Sequence, residues 1–300
     1  MLDVRERAAA LALVARAAQP WSETAGLIEE AGGALRVVAG ELDRLEWFDR
    51  DQAAALGRLV TAELLDDYSE LVEMLDGCGI RLVTICDPGY PANLRRVWDR
   101  PPFLFVRGSL SVLDERAVAV AGGRSPDRRP LEETRQLAAG LAAGGFTIVA
   151  GLARGAGAAA CAAALDAGGR ALAAFATGIN LVEPPDLMGL ARRILGRGAH
   201  VSALWPDARI SDATRTARDA LAAGLALGTL VVDGDAAEIA AHAHICLEQD
   251  RPLLLGSGLV AREPAAARYA GRPGVVVVDS VQQAAAGLAG GRAPVAAAAG

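Results

Sequence analysis

The sequence predicts an α/β fold: a Rossmann-like, mostly parallel sheet with helices on both faces, preceded by a small helical N-terminal domain. Three observations predict it. From Arg116 onward, short β-branched runs alternate with long Ala/Leu-rich stretches, the pattern of βαβ units covered on both faces. Two of those runs, Ala117-Val-Ala-Val-Ala-Gly-Gly-Arg-Ser125 and Phe146-Thr-Ile-Val-Ala-Gly-Leu-Ala-Arg-Gly-Ala-Gly157, break into glycines before a helical stretch. Before residue 76 the apolar residues recur at helical spacing, with no strand signal.

Taken in order, Ala8, Leu11, Val14 and Ala15 define one helical face, and Glu29-Glu-Ala-Gly-Gly33 closes a helix, its glycines suiting a C-terminal stop. Residues 51–59 and 64–75 read as two further helices. Arg81-Leu-Val-Thr-Ile-Cys86 is the first strand, Asp87-Pro-Gly-Tyr-Pro91 breaks the chain, and Phe103-Leu-Phe-Val-Arg107 is a second strand closed by Gly108. Strands are then expected at 117–121, 146–150, 171–176, 200–204, 229–233, 252–256 and 274–278. The helices between them are expected at 130–143, 156–167, 186–196, 212–223 and 236–249. The division is 1–75 helical, 76–290 α/β, and 291–300 a disordered Ala/Gly/Pro-rich tail. A right-handed crossover through 130–143 would set strands 117–121 and 146–150 side by side and parallel. Both glycine loops would then lie at one edge of the sheet.

Hydrophobic residues make up 52% of the 300, enough for a large core, but aromatics are only 4%, so Ala, Leu and Val are expected to fill it. Thirty Lys+Arg against 36 Asp+Glu give a net charge of −6. That balance argues against indiscriminate polyanion binding and leaves a local basic groove open. Cys78, Cys86, Cys161 and Cys246 are scattered without a C-x-x-C pair, which implies neither zinc nor disulfides. The chain opens with no signal-like segment and has no apolar run of spanning length, so a cytoplasmic location and no membrane partner are expected.

Two motifs carry candidate chemistry. In Gly122-Gly123-Arg124-Ser125 the glycines can admit a phosphate to the backbone N–H groups while Arg124 forks onto it; the other reading is a tight turn with a solvated arginine. Gly151-Leu-Ala-Arg154-Gly155 has the same two readings, and its spacing is not the G-x-G-x-x-G of a nicotinamide dinucleotide site. His242 and His244, two apart on a helix, face nearly opposite ways and cannot share a metal, and His200 stands alone. Glu238 and His242 are one helical turn apart, an acid–base couple or a surface pair. Gly256-Ser-Gly258 reads as a turn. With no nucleophile elbow, P-loop lysine or paired carboxylates, no catalytic residue, metal or cofactor is expected.

Residues 87–108, Asp-Pro-Gly-Tyr-Pro-Ala-Asn-Leu-Arg-Arg-Val-Trp-Asp-Arg-Pro-Pro-Phe-Leu-Phe-Val-Arg-Gly, resemble the segment that leads into the sheet in the DNA-processing protein A family (DprA, also called Smf). Val118-Ala-Val-Ala-Gly-Gly-Arg124 is similar to that family's V-A-I-V-G-S-R loop, and Ala150-Gly-Leu-Ala-Arg-Gly155 to its S-G-L-A-x-G-I-D loop. The resemblance covers about residues 10–260. It implies single-stranded DNA held by Gly122, Gly123, Arg124, Ser125, Gly151, Arg154, Gly155 and Arg218 in a basic pocket beside the loops. It implies delivery of that strand to a RecA-type recombinase in natural transformation by a homodimer that catalyses no reaction.

The resemblance is that of a diverged member. The family's serine, aspartate and histidine around the second loop fall at Ala150, Gly157 and Cys161, and its Y-P-x-x-N reads Glu183-Pro-Pro-Asp-Leu187. Its R-N-R-I reads Arg218-Asp-Ala-Leu221, its V-E-A acid survives as Asp233, and its K-S-G reads Ala236-Ala-Glu238. The family's winged-helix C-terminal extension is not expected here. The alternative is a paralogue that binds a nucleotide-like small ligand or a partner protein and no DNA.

Overall fold

Apolar residues at helical spacing build five helices before the first strand of the computed structural model, which describes residues 3–290. The tail expected at 291–300 lies outside the described residues. Helix α1 (Val4–Arg16) buries Arg7 through Val14, and α2 (Trp21–Ala31) stops at Gly32, whose φ of 79° is left-handed. The short α3 (Ala34–Ala39) was not legible in the sequence. Helices α4 (Arg50–Arg58) and α5 (Ala62–Gly77) start where Asp49 and Thr61 accept backbone N–H bonds from Gln52 and Leu64. The boundary drawn after residue 75 falls inside α5.

These helices pack directly on the sheet. Strand β1 (Ile80–Thr84) and, after the short α6 (Ala92–Arg95), strand β2 (Phe103–Gly108) turn their apolar faces toward α1 and α5. The few aromatics gather here: the ring of Phe103 lies 5.3 Å from Trp21 and 5.6 Å from Trp205. The core is thus not filled by Ala, Leu and Val alone, as composition suggested. Large rings close the wide gap between helices and sheet that small side chains would leave empty.

The segment 87–108 is scaffold. The Asp87 carboxylate accepts the Thr84 N–H at 2.8 Å, and the buried Tyr90 hydroxyl donates to the Pro101 carbonyl at 2.7 Å. The Asn93 amide donates to the carbonyls of Glu115 at 3.0 Å and Leu225 at 3.1 Å. Arg95 and Arg100 both pair with Glu29 of α2. The segment therefore ties the N-terminal helices to the sheet, since each buried polar group needs its partner.

The elements through β8 follow the predicted alternation: β3 (Ala117–Ala121), α7 (Arg128–Ala143), β4 (Thr147–Gly151), α8 (Ala156–Asp166), β5 (Ala171–Ala174), α9 (Met188–Leu195), β6 (Gly198–Ser202), α10 (Asp212–Gly224), β7 (Thr229–Val231), α11 (Ala236–Glu248) and β8 (Leu253–Gly256). Gly256-Ser-Gly258, expected as a turn, instead caps and opens the short helix α12 (Ser257–Arg262), and α13 (Pro264–Ala267) and α14 (Val281–Gly290), which flank the expected β9 (Val275–Val278), were not predicted either. The nine strands run in the order β1-β2-β6-β5-β4-β3-β7-β8-β9. Strands β3 to β9 are mutually parallel; β2 pairs antiparallel with β6, and β1, at the edge, pairs antiparallel with β2 and so runs with the rest. Strands β3 and β4 are neighbours, with Val118 opposite Ile148.

Alternation along β3 divides the core. Val118 and Val120 pack toward α7, α8 and α14, each burial contributing about 1.5–3 kcal/mol. Ala117 and Ala119 face α10 and the N-terminal helices. Small side chains on that second face leave room above the sheet. Beyond β3 the chain order reverses: β4, β5 and β6 extend one way, β7, β8 and β9 the other. Beside the reversal, at the carboxyl ends of β3 and β4, lies a crevice, in the region where open α/β sheets take ligands. No helix among the described residues is long and apolar enough to cross a membrane.

Candidate nucleic-acid interface

Both glycine loops border this crevice. The first leaves β3 at Gly122 and reaches α7 only at Arg128; the second leaves β4 at Gly151 and enters α8. They touch: the Ala156 N–H donates to the Gly123 carbonyl at 3.2 Å. Gly155 holds a left-handed φ of 88°, and a Cβ there would overlap that same carbonyl. A Cβ on Gly151 would stand 2.6 Å from Nε of Arg218, so the guanidinium lies on the second loop. Only glycine allows these approaches. Among the described residues the N–H groups of Gly123, Arg124, Ser125, Arg154 and Gly155 donate to no protein group. Of these residues Arg124 and Arg154 line the crevice, where an anion can meet them beside the positive end of the α8 dipole.

The crevice, about 300 Å³, is lined by Arg124, Arg154, Arg215 and Arg218 and by Asp212, Asp219 and Glu238. The chain contains no lysine, so every one of its 30 basic side chains is a planar guanidinium. Three of the four lining arginines are already paired. Arg215 meets Asp212 at 2.8 Å, and Arg218 donates from Nε to Asp219 at 2.9 Å. Arg154 binds Asp186 through two bonds, 3.0 Å from Nε and 2.7 Å from Nη2. That fork raises the Arg154 pKa and lowers the Asp186 pKa. Arg124 is exposed and, among the described residues, makes no ion pair or side-chain hydrogen bond.

The half-buried imidazole of His242 lies in the crevice wall and is not a surface group. Burial pushes its pKa down, Arg218 adding to the effect while Asp219 and Glu238 oppose it. No hydrogen bond joins it to Glu238. That side chain instead accepts the Asp235 N–H at 3.1 Å, in a reciprocal cap of α11. His200 is buried, its Nε2 sharing a 2.9 Å hydrogen bond with the Ala191 carbonyl. The four cysteines are free.

Of the residues singled out in the sequence, Gly122, Arg124, Gly151, Arg154 and Arg218 come together around the crevice. Gly123 and Gly155 form the contact between the loops, and Ser125 is exposed on the first loop. Ala220, which stands where the family has its second arginine, faces an apolar hollow on the opposite side of α10. Sequence reasoning missed Asp212, Arg215 and Asp219, although their spacing with Arg218 marks one face of the predicted 212–223 helix. It gave Asp186, within Glu183-Pro-Pro-Asp-Leu187, no role; the residue sits in a single 3-10 turn before α9 and reaches Arg154 from there.

A family model described as DNA recombination-mediator protein A matches residues 81–271. Protein Smf of Synechocystis sp. is 31% identical over 157 residues, 51% of this chain and 39% of that protein. The chain thus spans well under two thirds of that relative's length. The X-ray structure of DNA processing protein A from Streptococcus pneumoniae shares the fold with a TM-score of 0.66 at 23% identity, covering 88% of this chain and 95% of that one. DNA processing protein A from Helicobacter pylori, whose structure describes a single-stranded DNA binding mode, gives 0.62 at 19% identity, over 70% and 96% of the two chains.

Proposed function

This chain belongs to the DNA recombination-mediator protein A family, and from that premise we propose that its glycine-loop crevice holds the phosphate backbone of single-stranded DNA. The observation that carries the reading is Arg124: an exposed guanidinium without a carboxylate partner, beside backbone N–H groups that have no other acceptor. A phosphate satisfies both at once. No Phe, Tyr or Trp lines the crevice, so backbone contacts rather than base stacking supply the affinity. A net charge of −6 offers no broad basic face for a duplex.

The protein in this reading is a binder that catalyses no reaction. It delivers the strand to a RecA-type recombinase in the cytoplasm during natural transformation and works as a homodimer, in which a second crevice raises avidity without new contacts. The alternative, a nucleotide-like small ligand or a partner protein in place of DNA, is favoured by the carboxylates that already neutralise Arg154, Arg215 and Arg218.

A labelled oligothymidylate titrated at low salt, with unlabelled single strand, duplex and a nucleoside monophosphate as competitors, separates the readings. Displacement by single strand and not by mononucleotide is expected. Mononucleotide binding in a protein that ignores the oligonucleotide would favour the alternative.

A further inference from the structure

On the far side of α10 from the crevice lies a second hollow, about 320 Å³, whose walls include Trp21, Leu94, Pro101, Leu204 and Leu221. One charged group lies among them, Asp99. Its carboxylate accepts from the amide of Gln249, 3.0 Å to each oxygen, and from its own backbone N–H. Among the described residues no arginine or histidine pairs with it; Arg95 and Arg100, close in sequence, are both committed to Glu29. Burial, and less strongly the nearby Glu248, raise the Asp99 pKa against the opposing bonds from Gln249 and its own backbone N–H, and no cation contributes. An uncompensated carboxylate in an apolar wall is costly unless something positive meets it. The indole of Trp21 forms part of the same wall, a ring type that attracts cations.

We propose that this hollow is a binding site for a small organic cation, an amidinium, guanidinium or primary ammonium on an apolar body, whose charge meets Asp99 while its body fills the walls. The site is independent of the DNA reading. It shares only α10 with the crevice: Ala217, Ala220 and Leu221 face the hollow, Arg218 and Asp219 the crevice.

Benzamidinium and its neutral isostere benzamide test the proposal on the whole chain. Binding is followed by calorimetry and by the indole N–H resonance of Trp21, assigned with Trp21→Phe. Benzamidinium should bind and shift that resonance, with benzamide at least about tenfold weaker, the difference a charge-assisted contact makes. Asp99→Asn keeps an acceptor for Gln249 and should bring the two ligands to equal, weak affinity. Equal affinities in the unaltered protein, benzamidinium binding that survives Asp99→Asn, or an unmoved Trp21 resonance would each overturn it.

Discussion

Replacing Arg124 with alanine removes the one crevice arginine that has no carboxylate of its own. Arg154, Arg215 and Arg218 each give up an aspartate when they turn to a phosphate. Such an exchange swaps one ion pair for another and releases little net counterion. Arg124 gives up nothing, so its contact counts in full. Each phosphate neutralised on a single strand contributes about 0.7 to the slope of log affinity against log salt. Arg124→Ala should flatten the slope by about 0.7. Between about 50 and about 200 mM salt the ratio of unaltered to variant affinity should therefore shrink about 2.6-fold. At the low-salt end the loss should be about tenfold, the scale of one charge-assisted bond. Fluorescence anisotropy of a labelled oligothymidylate over a salt series reads both quantities. Arg124 makes no bond within the fold, so the urea midpoint should not move. An unchanged slope, or an equal slope change in Arg154→Ala, would refute the distinction between free and paired arginines.

Three further outcomes are expected. Asp186→Asn leaves Arg154 without its fork and should tighten single-strand binding and steepen the salt slope by about 0.7; a slope that stays put would mean the pair does not compete with DNA. Gly155→Ala forces a Cβ into the Gly123 carbonyl at a left-handed φ of 88°, so stability in urea should fall by about 1–3 kcal/mol and binding should fail with it; a variant as stable as the parent would deny the contact between the loops. Burial lowers the His200 pKa from 6.5, so the unfolded chain takes up the proton first. Stability present above about pH 6.5 is then lost as pH falls through the folded value. The urea midpoint of the unaltered protein should drop over that acid range more steeply than that of His200→Gln, and parallel profiles would count against the assignment.

The alternation of elements was legible because period-2 valines and helical Ala/Leu stretches survive as local signals. The neighbouring, parallel placement of β3 and β4 was legible because two successive strand–glycine-loop–helix units read as one βαβ unit. What was not legible is tertiary. The Arg154–Asp186 fork joins residues 32 apart in sequence, and no spacing announces it. Ala220, at the second arginine of the family's R-N-R-I, is two residues from Arg218, and the helix turns it into the other hollow. The segment 87–108, the most specific part of the family resemblance, holds the N-terminal helices to the sheet: Tyr90 and Asn93 spend their polar groups on backbone carbonyls. The reversal of strand order beside the crevice also depends on where β7 inserts, which a strand's own sequence does not encode.

Whether a strand's phosphates rest on the two glycine loops is decided most directly by a structure of the protein with a short oligothymidylate bound. A phosphate oxygen should lie within hydrogen-bond distance of the N–H groups at Gly123 or Arg124, with the Arg124 guanidinium closing on the same group. A strand seated elsewhere, with both loops empty of phosphate, would contradict the reading.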